Sequence, residues 1–323
     1  NLLDAIYHLS YTKSFFNSID SQNVMFEESL YVIQGEVINE QEQYNLYCGL
    51  KKGEKKIFKK NKKTYKKLAD HIGLFPVVMI TPYDINLVLE GSETRRRFFD
   101  ALIAQFDKNY LLGLLQYNKL LKQRNVLLKT NSSSIDLLEI YEEQMIEKAQ
   151  EIHQSRKTFI REFVPIFDKF YQDISSNKEE VNLNHHSSLY ENSMKELFIR
   201  NRTKDQLIGH TSTGIHRDDF LFSIGGNQLK KFGSQGQQKT YLIALKLAKF
   251  EYIKLKKNIT PVLLLDDIFD KLDDHRVGYI LNLIQKNNLG QTFITDTSKE
   301  KIPNIVSDLK IDSNLFWVEN GNS

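Results

Sequence analysis

The chain has 323 residues, 41% of them hydrophobic, which is enough for one large domain or two medium domains with a sizeable core. Its net charge of +3 is too small to indicate nucleic-acid binding by itself, so the distribution of charge matters more than the total. The single cysteine excludes an internal disulfide and favours a reducing cytoplasm, and no apolar run approaches the roughly 20 residues that cross a bilayer.

The first 80 residues predict a helix followed by strands. Apolar residues spaced three or four apart predict a helix over residues 1–12, whose buried face consists of Leu2, Leu3, Ile6 and Leu9. Residues 24–60 alternate as strands do, and turns at 52–54 and 60–62 predict antiparallel hairpins. A short helix over 68–73 and a buried strand over 77–80 are expected next.

The predicted hairpins carry a run of lysines. Ten lysines lie between residues 51 and 67, opposed only by Glu54, and the run includes Lys55, Lys56, Lys59, Lys60, Lys62 and Lys63. Paired lysines at turns cannot all be buried, so we expect a positive ridge that binds the phosphate backbone of DNA without reading its sequence. The alternative is that these lysines only keep an exposed hairpin soluble.

From about residue 92 to about residue 175 the pattern is helical almost throughout. Apolar and aromatic residues recur every three or four positions on both sides of a break at residues 130–134, where Ser134 is placed to cap the second helix. We predict an antiparallel, coiled-coil-like arm; the alternative is an ordinary helical domain packed on the rest. The aromatic residues of 159–171 are expected to be core rather than a base-stacking platform.

Three consecutive arginines, Arg95, Arg96 and Arg97, lie where the first of these helices begins. Cations at that end oppose the helix dipole, so their presence calls for a partner. Two explanations remain open. Either some of them bind an anion, on DNA or on an acidic protein, or they pair with the nearby carboxylates of Asp100, Glu93 and Glu90.

The segment from 181 to 232 mixes weak and clear patterns. Residues 181–200 are weakly patterned, and the adjacent His185 and His186 are predicted to be solvated. Residues 220–232 indicate a strand, a turn and a second strand. His216 and Arg217 precede this hairpin, and we expect them to fix the loop by hydrogen bonds or to contact nucleotide or DNA. No second histidine lies nearby at a ligand spacing, which argues against zinc.

A glycine- and glutamine-rich turn, residues 234–237, directly precedes a long amphipathic helix. Free amides and the positive end of the dipole make the beginning of a helix an anion site. Ser234 can cap that helix or donate to a phosphate, and Gly236 permits close approach of a ligand. Taken alone, such a turn is usually only a helix cap.

Four apolar residues at 262–265 end in two adjacent carboxylates, Asp266 and Asp267. An unbroken apolar run predicts a strand buried on both faces of a parallel sheet, and such strands present ligands at their carboxyl ends. There the carboxylates could hold a hydrated Mg²⁺ and a nucleotide phosphate; the alternative is an acidic, solvated turn. A helix over 275–287 and a second buried strand over 291–296 are expected to follow.

These motifs together resemble ATPases of the ABC type. Residues 234–237 resemble the signature loop, residues 263–267 the Walker B strand and residues 271–273 the D-loop. Asp-Asp in place of Asp-Glu, and Ser-Gln-Gly-Gln in place of Ser-Gly-Gly-Gln, narrow the resemblance to the RecF family of SMC-like recombination mediators. Residues 81–100 and 213–219 also resemble RecF segments, although Ile215 stands where that family usually has Pro.

The resemblance implies a fold and a division of the chain. The fold is α/β: an ABC-type, SMC-like P-loop NTPase head with an antiparallel β subregion and an inserted helical-hairpin arm. Residues 1–91 and 201–323 would form the two parts of the head, and residues 92–200 the arm.

The resemblance also implies roles for individual residues. The signature residues, which would cap the γ-phosphate of ATP on an opposing head, are Ser234, Gln235, Gly236 and Gln237. Asp266 would organise Mg²⁺ and Asp267 would orient the attacking water. Coupling between the sites would use Asp273 of the D-loop, and a switch role would fall to Thr295 or Thr297. His216 and Arg217 would lie near the head interface.

One departure from the family is large. The family begins with a strand, a phosphate loop ending in Gly-Lys-Thr and then a helix beginning Asn-Leu-Leu-Asp-Ala-Ile, whereas this sequence begins at that helix. It contains no Gly-x-x-x-x-Gly-Lys-Ser/Thr motif. We interpret the chain as truncated and expect it to bind ATP poorly; the alternative is a genuine protein that lost its phosphate loop.

The function implied by the resemblance is DNA replication and repair. A RecF protein would bind double-stranded and gapped DNA as an ATP-dependent homodimer and, with RecR and RecO, help to load RecA, with weak DNA-dependent ATP hydrolysis. The alternatives are a non-catalytic DNA-binding or scaffold fragment, or another SMC-like or ABC ATPase. A transport ATPase subunit is disfavoured by the long helical arm and the lysine ridge.

Overall fold

The computed structural model describes residues 1–17, 19–38, 42–130, 135–176, 179–268, 274–286, 289–297, 303–304, 307 and 313–318. The strands are β1 (Leu30–Ile38), β2 (Gln43–Lys51), β3 (Ile57–Lys60), β4 (Lys63–Thr64), β5 (Val77–Ile80), β6 (Val181–His186), β7 (Asp219–Ile224), β8 (Asn227–Gln228), β9 (Val262–Asp266) and β10 (Thr292–Thr295). The helices are α1 (Leu2–Tyr11), α2 (Asn86–Leu89), α3 (Ser92–Ile103), α4 (Lys108–Lys129), α5 (Ile135–Ser175), α6 (Met194–Ile208), α7 (Leu229–Phe232), α8 (Gln235–Lys257) and α9 (Asp274–Gln285). None of the helices described is long and apolar enough to cross a membrane.

The central sheet is parallel, with strand order β10-β9-β5. Successive side chains of a strand point to opposite faces, and here both faces are apolar. Val77, Met79 and Leu264 pack with Leu3 and Tyr11 of α1 on one face. The residues of the other face join the main core with α8, and they are Val78, Ile80, Leu263 and Leu265. The predicted doubly buried strand is therefore confirmed.

Helix α1 lies between this sheet and an antiparallel sheet of strand order β1-β2-β3-β4. Leu9 of α1 packs with the inward-facing residues of that sheet, which are Tyr44, Leu46, Cys48 and Phe58. The hairpins predicted over residues 24–60 are confirmed. Leu2, which was predicted to be on the buried face of α1, is 65% exposed because the packed face is centred on Leu3.

A third sheet has the order β6-β7-β8. Gly225 and Gly226 form its two-residue turn between β7 and β8, and both have positive φ, as a type I′ hairpin requires. The second predicted strand, over 228–232, is wrong. The chain leaves the sheet after Gln228 and turns into α7, because Leu229 is fully buried in the core while the two lysines after it are exposed.

The predicted pair of long helices is observed as α4 and α5, and α5 alone spans 41 residues, about 60 Å. Its later aromatic residues are buried against α8: Phe159 and Phe163 contact Tyr252, and Phe167 contacts Tyr241. They are core, as predicted. The last part of α5 is therefore packed on the central region, and the division at residues 91 and 200 stays a prediction.

Weakly patterned residues 181–200 form β6 and the beginning of α6. Ser193 and Glu196 make a capping box at the N-terminus of α6, with Glu196 N donating to Ser193 Oγ and Ser193 N donating to the Glu196 carboxylate. This Ser-x-x-Glu spacing is a helix-start signal that was available in the sequence.

Candidate nucleotide site at the edge of the central sheet

The two carboxylates after the Walker B-like strand lie at the carboxyl edge of the central sheet. Asp266 ends β9 opposite Thr295 of β10, and the Thr295 hydroxyl donates to Asp266 Oδ1 at 2.8 Å. The backbone amide of Asp267 donates to Thr295 O at 3.1 Å. Thr295, the candidate switch residue, thus holds both acids in place from the neighbouring strand.

Asp267 has an unusual backbone. Its φ is +49°, in the left-handed region that aspartate tolerates better than most residues. Its Oδ1 atom is buried and has no hydrogen-bond partner among the residues that the structure describes. Backbone strain and an unsatisfied polar atom often occur together at functional sites, so this carboxylate is a candidate for ligand or water binding. The D-loop candidate, Asp273, lies outside the described residues.

The signature-like turn begins α8 with a complete capping box. Gln237 N donates to Ser234 Oγ at 3.2 Å, and Ser234 N donates to Gln237 Oε1 at 2.7 Å. Ser234 and Gln235 are exposed, and Gly236 is half-buried. The amides of Gln235 and Gly236 lie in the first turn, where no intrahelical acceptor exists, so this end of α8 can accept an anion.

Two neighbours of this turn were missed by sequence reasoning. Glu179 accepts a hydrogen bond from Gln237 Nε2 at 2.7 Å and another from the Tyr171 hydroxyl at 2.5 Å. Arg276 of α9 donates to Gly236 O at 3.0 Å and to Thr240 Oγ1 at 2.7 Å. These contacts tie the turn to α5 and to α9, and neither residue belongs to a local pattern that could have revealed it.

A cavity of about 390 Å³ lies between the beginning of α8 and the end of β5. Its walls include Ile80 at the end of β5, Thr81 after it, and Ile268 just after the acid pair. The first two turns of α8 contribute Gln235, Gln238 and Lys239. Gln235 is the one signature-like residue that lines this cavity, and Asp266 and Asp267 lie outside its lining.

A buried ion pair anchors α8 beside this cavity. Lys246 Nζ lies 2.5 Å from Asp84 Oδ1 and donates to Met79 O at 2.7 Å. Asp84 also accepts the amide of Thr81 in a capping box. The segment 81–84 thus links the end of β5 to α8.

No protein-family model matches the chain. The chain is 47% identical over 310 residues to the DNA replication and repair protein RecF of Flavobacterium johnsoniae, a match that covers 95% of this chain and 86% of that protein.

The chain belongs to the RecF family.

A solved structure described as the recombination mediator protein RecF with ATP in the RecFOR pathway is 34% identical to the chain, with a TM-score of 0.85, and the match covers 92% of this chain and 82% of that one. An SMC head bound to the winged-helix domain of ScpA is 13% identical with a TM-score of 0.50, covering 94% of this chain and 80% of that one, and supports the fold alone. The predicted α/β, ABC-type and SMC-like fold is confirmed.

In this RecF-family chain, the loop before β7 is held rather than free. His216 Nε2 donates to Thr211 O at 3.2 Å, so its Nδ1 accepts from the Tyr117 hydroxyl at 2.9 Å. Burial lowers the pKa of His216 to about 4, so the ring is neutral near pH 7. Arg217 beside it is exposed, and its role at a head interface stays a prediction.

Asp218, the next residue, is 1% exposed and binds Arg156 of α5 and His185 of β6. The prediction that His185 is solvated is wrong, because its ring faces inward from β6 onto Asp218. His186 points the other way and is exposed, as predicted.

Two of the three consecutive arginines bind the loop that leads into β7. Arg95 makes a bidentate pair with Asp219, and Arg96 donates to Asp218 O at 2.6 Å. Arg97 pairs on the surface with Glu93, in agreement with the explanation that invoked nearby carboxylates. The carboxylate that binds Arg95 lies 124 residues away in sequence, so local pairing rules could not identify it.

The lysine run divides into exposed and structural members. Lys55, Lys62 and Lys63 are exposed on or beside the hairpin of β3 and β4. Lys59 is half-buried, with its amine 5.1 Å from the centre of the Tyr47 ring. Lys60 pairs with a glutamate and lies over an aromatic ring, Glu42 and Tyr44 respectively.

Lys56 does not belong to a positive ridge. Its amine is 2.7 Å from Asp20 Oδ1 and donates to Thr12 O at 2.6 Å, and its side chain is only 10% exposed. The lysine, which directly precedes β3, therefore ties the hairpin to the segment after α1.

Proposed function

We propose that this RecF-family chain acts in DNA replication and repair as a DNA-bound clamp operated by ATP. The observation that carries the proposal is the acid pair at the carboxyl edge of the central sheet, where Thr295 holds Asp266 and Asp267 has a buried oxygen without a partner among the described residues. ATP would be held between two copies, with the turn of one copy facing the acids of the other, in the manner that the sequence resemblance implies.

In the proposed arrangement, the exposed first turn of α8 binds the γ-phosphate of ATP on the opposing copy. Ser234 would donate from its hydroxyl, and the amides of Gln235 and Gly236 would add to the positive end of the helix. Gln237 stabilises the turn through its capping bond to Ser234. Arg276 and Glu179 fix the backbone and the Gln237 side chain, so the turn is preorganised before ATP arrives.

The acids fit a magnesium nucleotide. Asp266 is half-exposed with Oδ1 bound to Thr295, which leaves its other oxygen for a hydrated Mg²⁺. Bound Mg²⁺ would neutralise charge that develops on the phosphates. Asp267 has a buried oxygen without a partner among the described residues, and we assign it to the attacking water. The sequence has no Gly-x-x-x-x-Gly-Lys-Ser/Thr loop. Of the motifs that bind nucleotide in this family, the residues present therefore supply the signature turn and the acids.

We further propose that the clamp binds double-stranded and gapped DNA and works in the cytoplasm. The exposed lysines of the β3–β4 hairpin, Lys62 and Lys63, are the surface that supports DNA contact. RecR, RecO and RecA are the partners that the family membership suggests, and ATP hydrolysis would be weak and DNA-dependent.

The decisive experiment compares two serine substitutions in the product of the complete gene. Ser234→Ala and Ser193→Ala each remove the serine of a capping box, at the N-termini of α8 and α6. Each should lower the free energy of unfolding by about 1 kcal/mol. Only Ser234→Ala should also weaken ATP-dependent dimerisation, measured by light scattering with and without ATP.

Equal dimerisation by both variants would remove the signature turn from the proposed interface. If the unaltered protein formed no dimer with ATP and still bound duplex DNA, the non-catalytic DNA-binding alternative would replace the clamp.

A further inference from the structure

Two histidines and an aspartate from three separate elements meet beneath the loop before β7. They are His153 of α5, His185 of β6 and Asp218, which directly precedes β7. One nitrogen from each imidazole and one oxygen of the carboxylate all lie within 4.8 Å of one another. The proposed ATP chemistry uses none of these side chains.

Two of the polar atoms in this cluster are unsatisfied. His153 Nδ1 and Asp218 Oδ1 are buried and have no hydrogen-bond partner among the residues that the structure describes. Asp218 as a whole is 1% exposed. Buried polar atoms are nearly always paired, so a nitrogen and a carboxylate oxygen without partners in one cluster indicate a bound species.

Neighbouring side chains hold His185 and Asp218 in fixed orientations, as the hydrogen-bond partners of metal ligands do. His185 Nδ1 lies 3.1 Å from the Tyr190 hydroxyl, and its Nε2 lies 3.0 Å from Asp218 Oδ2, at the position that an ion would share with both. Arg156 Nη1 donates to Asp218 Oδ2 at 2.7 Å and leaves Oδ1 available. Metal-binding imidazoles and carboxylates commonly have their second polar atom held in this way.

The nearby cations do not exclude a metal ion. Arg156 also binds Asp100, with Nη2 2.9 Å from Oδ1. Lys157 lies farther out, with its amine 5.9 Å from the centre of the Tyr190 ring. Arg96, which donates to Asp218 O, and Arg95, which pairs with Asp219, are two further cations beside the cluster. The carboxylates of Asp100, Asp218 and Asp219 offset all but one of these four positive charges.

We propose that His153, His185 and Asp218 bind a divalent ion of the zinc class, as a clip between α5 and the sheet that leads to the signature-like turn. Two imidazoles and one carboxylate suit Zn²⁺ and Co²⁺, with a water completing a tetrahedral site, and they do not suit Mg²⁺ or Ca²⁺, which prefer oxygen ligands. His153 is half-buried and offers the path by which the ion enters.

The test titrates the full chain with Co²⁺ and follows the visible absorption that tetrahedral Co²⁺ acquires from protein ligands. We expect saturation at one ion per chain, displacement by Zn²⁺, and a higher Tm with Zn²⁺ that chelation with EDTA reverses. Mg²⁺ should change neither the absorption nor the Tm.

His153→Ala should lower Co²⁺ affinity by more than about tenfold, since removal of an outer partner alone commonly costs that much. This variant leaves the Arg156–Asp218 pair in place. His186→Ala is the matched control, because His186 is the exposed neighbour of His185 in β6 and should bind Co²⁺ like the unaltered chain. No saturable binding at one ion per chain, or binding that survives His153→Ala, would overturn the proposal.

Discussion

Asp266 and Asp267 are adjacent carboxylates in different environments. Asp266 continues the strand and shares one oxygen with the Thr295 hydroxyl. Asp267 turns into the left-handed region and has a buried oxygen without a partner among the described residues. Because strand geometry points neighbouring side chains to opposite faces and the chain bends at this point, the two acids can serve different tasks.

At this scale we predict the effect of Asp267→Asn in the product of the complete gene. Asparagine keeps the size of the side chain and tolerates the left-handed backbone, so the fold should persist. ATP hydrolysis should fall by about 100-fold, because the amide cannot accept the proton of the attacking water. ATP-dependent dimerisation, measured in parallel, should remain. Normal hydrolysis by this variant would show that another group orients the water.

At the scale of elements, α8 is the centre of the molecule. Its apolar face covers the central sheet, its aromatic residues pack on α5, and its buried Lys246 pairs with Asp84 after β5. One turn later, Lys249 is 6% exposed, with its amine 5.3 Å from the ring centre of Tyr11 and 5.2 Å from that of Phe98. An ammonium between two rings is attracted to their faces, but it has lost its hydration.

We predict that Lys249→Met stabilises the protein. Burial lowers the pKa of Lys249 from its ordinary value of 10.5 to about 8. Between pH 8 and pH 10.5 the unfolded chain binds more protons than the folded chain, so the free energy of unfolding of the unaltered protein rises with pH over this range. Below about pH 8 the full cost of burying the charged amine is present. Methionine fills similar space without a charge, so the gain near neutral pH should be on the order of 2–3 kcal/mol.

Urea unfolding at a series of pH values checks this prediction. The difference between Lys249→Met and the unaltered protein should shrink as pH rises from about 8 towards 10.5. Lys256→Met, on the last turn of the same helix where the side chain is 38% exposed, is the control and should change stability by less than about 1 kcal/mol. A destabilised Lys249→Met would mean that the cation–ring contacts outweigh the lost hydration.

At the scale of the whole molecule, we predict that the β3–β4 hairpin contributes to DNA binding. Reversing the charges of Lys59, Lys62 and Lys63 by substitution to Glu should weaken duplex binding. The slope of log binding constant against log salt concentration should also become shallower, by about one unit for each phosphate that the hairpin no longer neutralises. Lys56 and Lys60 are left unchanged because they make structural contacts. Fluorescence anisotropy over a range of salt concentrations measures both quantities.

The control variant reverses the same number of charges away from the hairpin. Lys169, Lys195 and Lys204 are exposed on α5 and α6. If both triple variants lost affinity equally, the effect would come from net charge, and the hairpin would have no special role.

Local patterns predicted the main elements well. A run of apolar residues at 262–265 is compatible with few structures other than a strand buried on both faces, and this is what forms. Ser234 followed by Gln237 is a capping pattern whose partners lie within one turn, so the beginning of α8 was predictable. The same holds for α4 and α5, whose three- and four-residue spacing extends over many turns.

The contacts that shape the candidate sites could not be predicted, because they join distant parts of the chain. The carboxylate that orients Gln237, on Glu179, is 58 residues away from it, and the guanidinium on Gly236, from Arg276, is 40 residues away. His185 was predicted to be solvated from its polar stretch, yet Asp218, 33 residues away, lies beside it just before the neighbouring strand β7. A sequence window contains no signal for such pairs.

The sequence by itself determined the order of helices and strands, the amide-rich turn, the acid pair and membership of the RecF family, because each is encoded in spacing or in residue identity at short range. Only the tertiary structure decided that Thr295 holds the acid pair, that Lys56 is structural, and that two histidines meet Asp218. The reason is physical: burial and ion pairing depend on which elements pack together, and packing is set by the whole core.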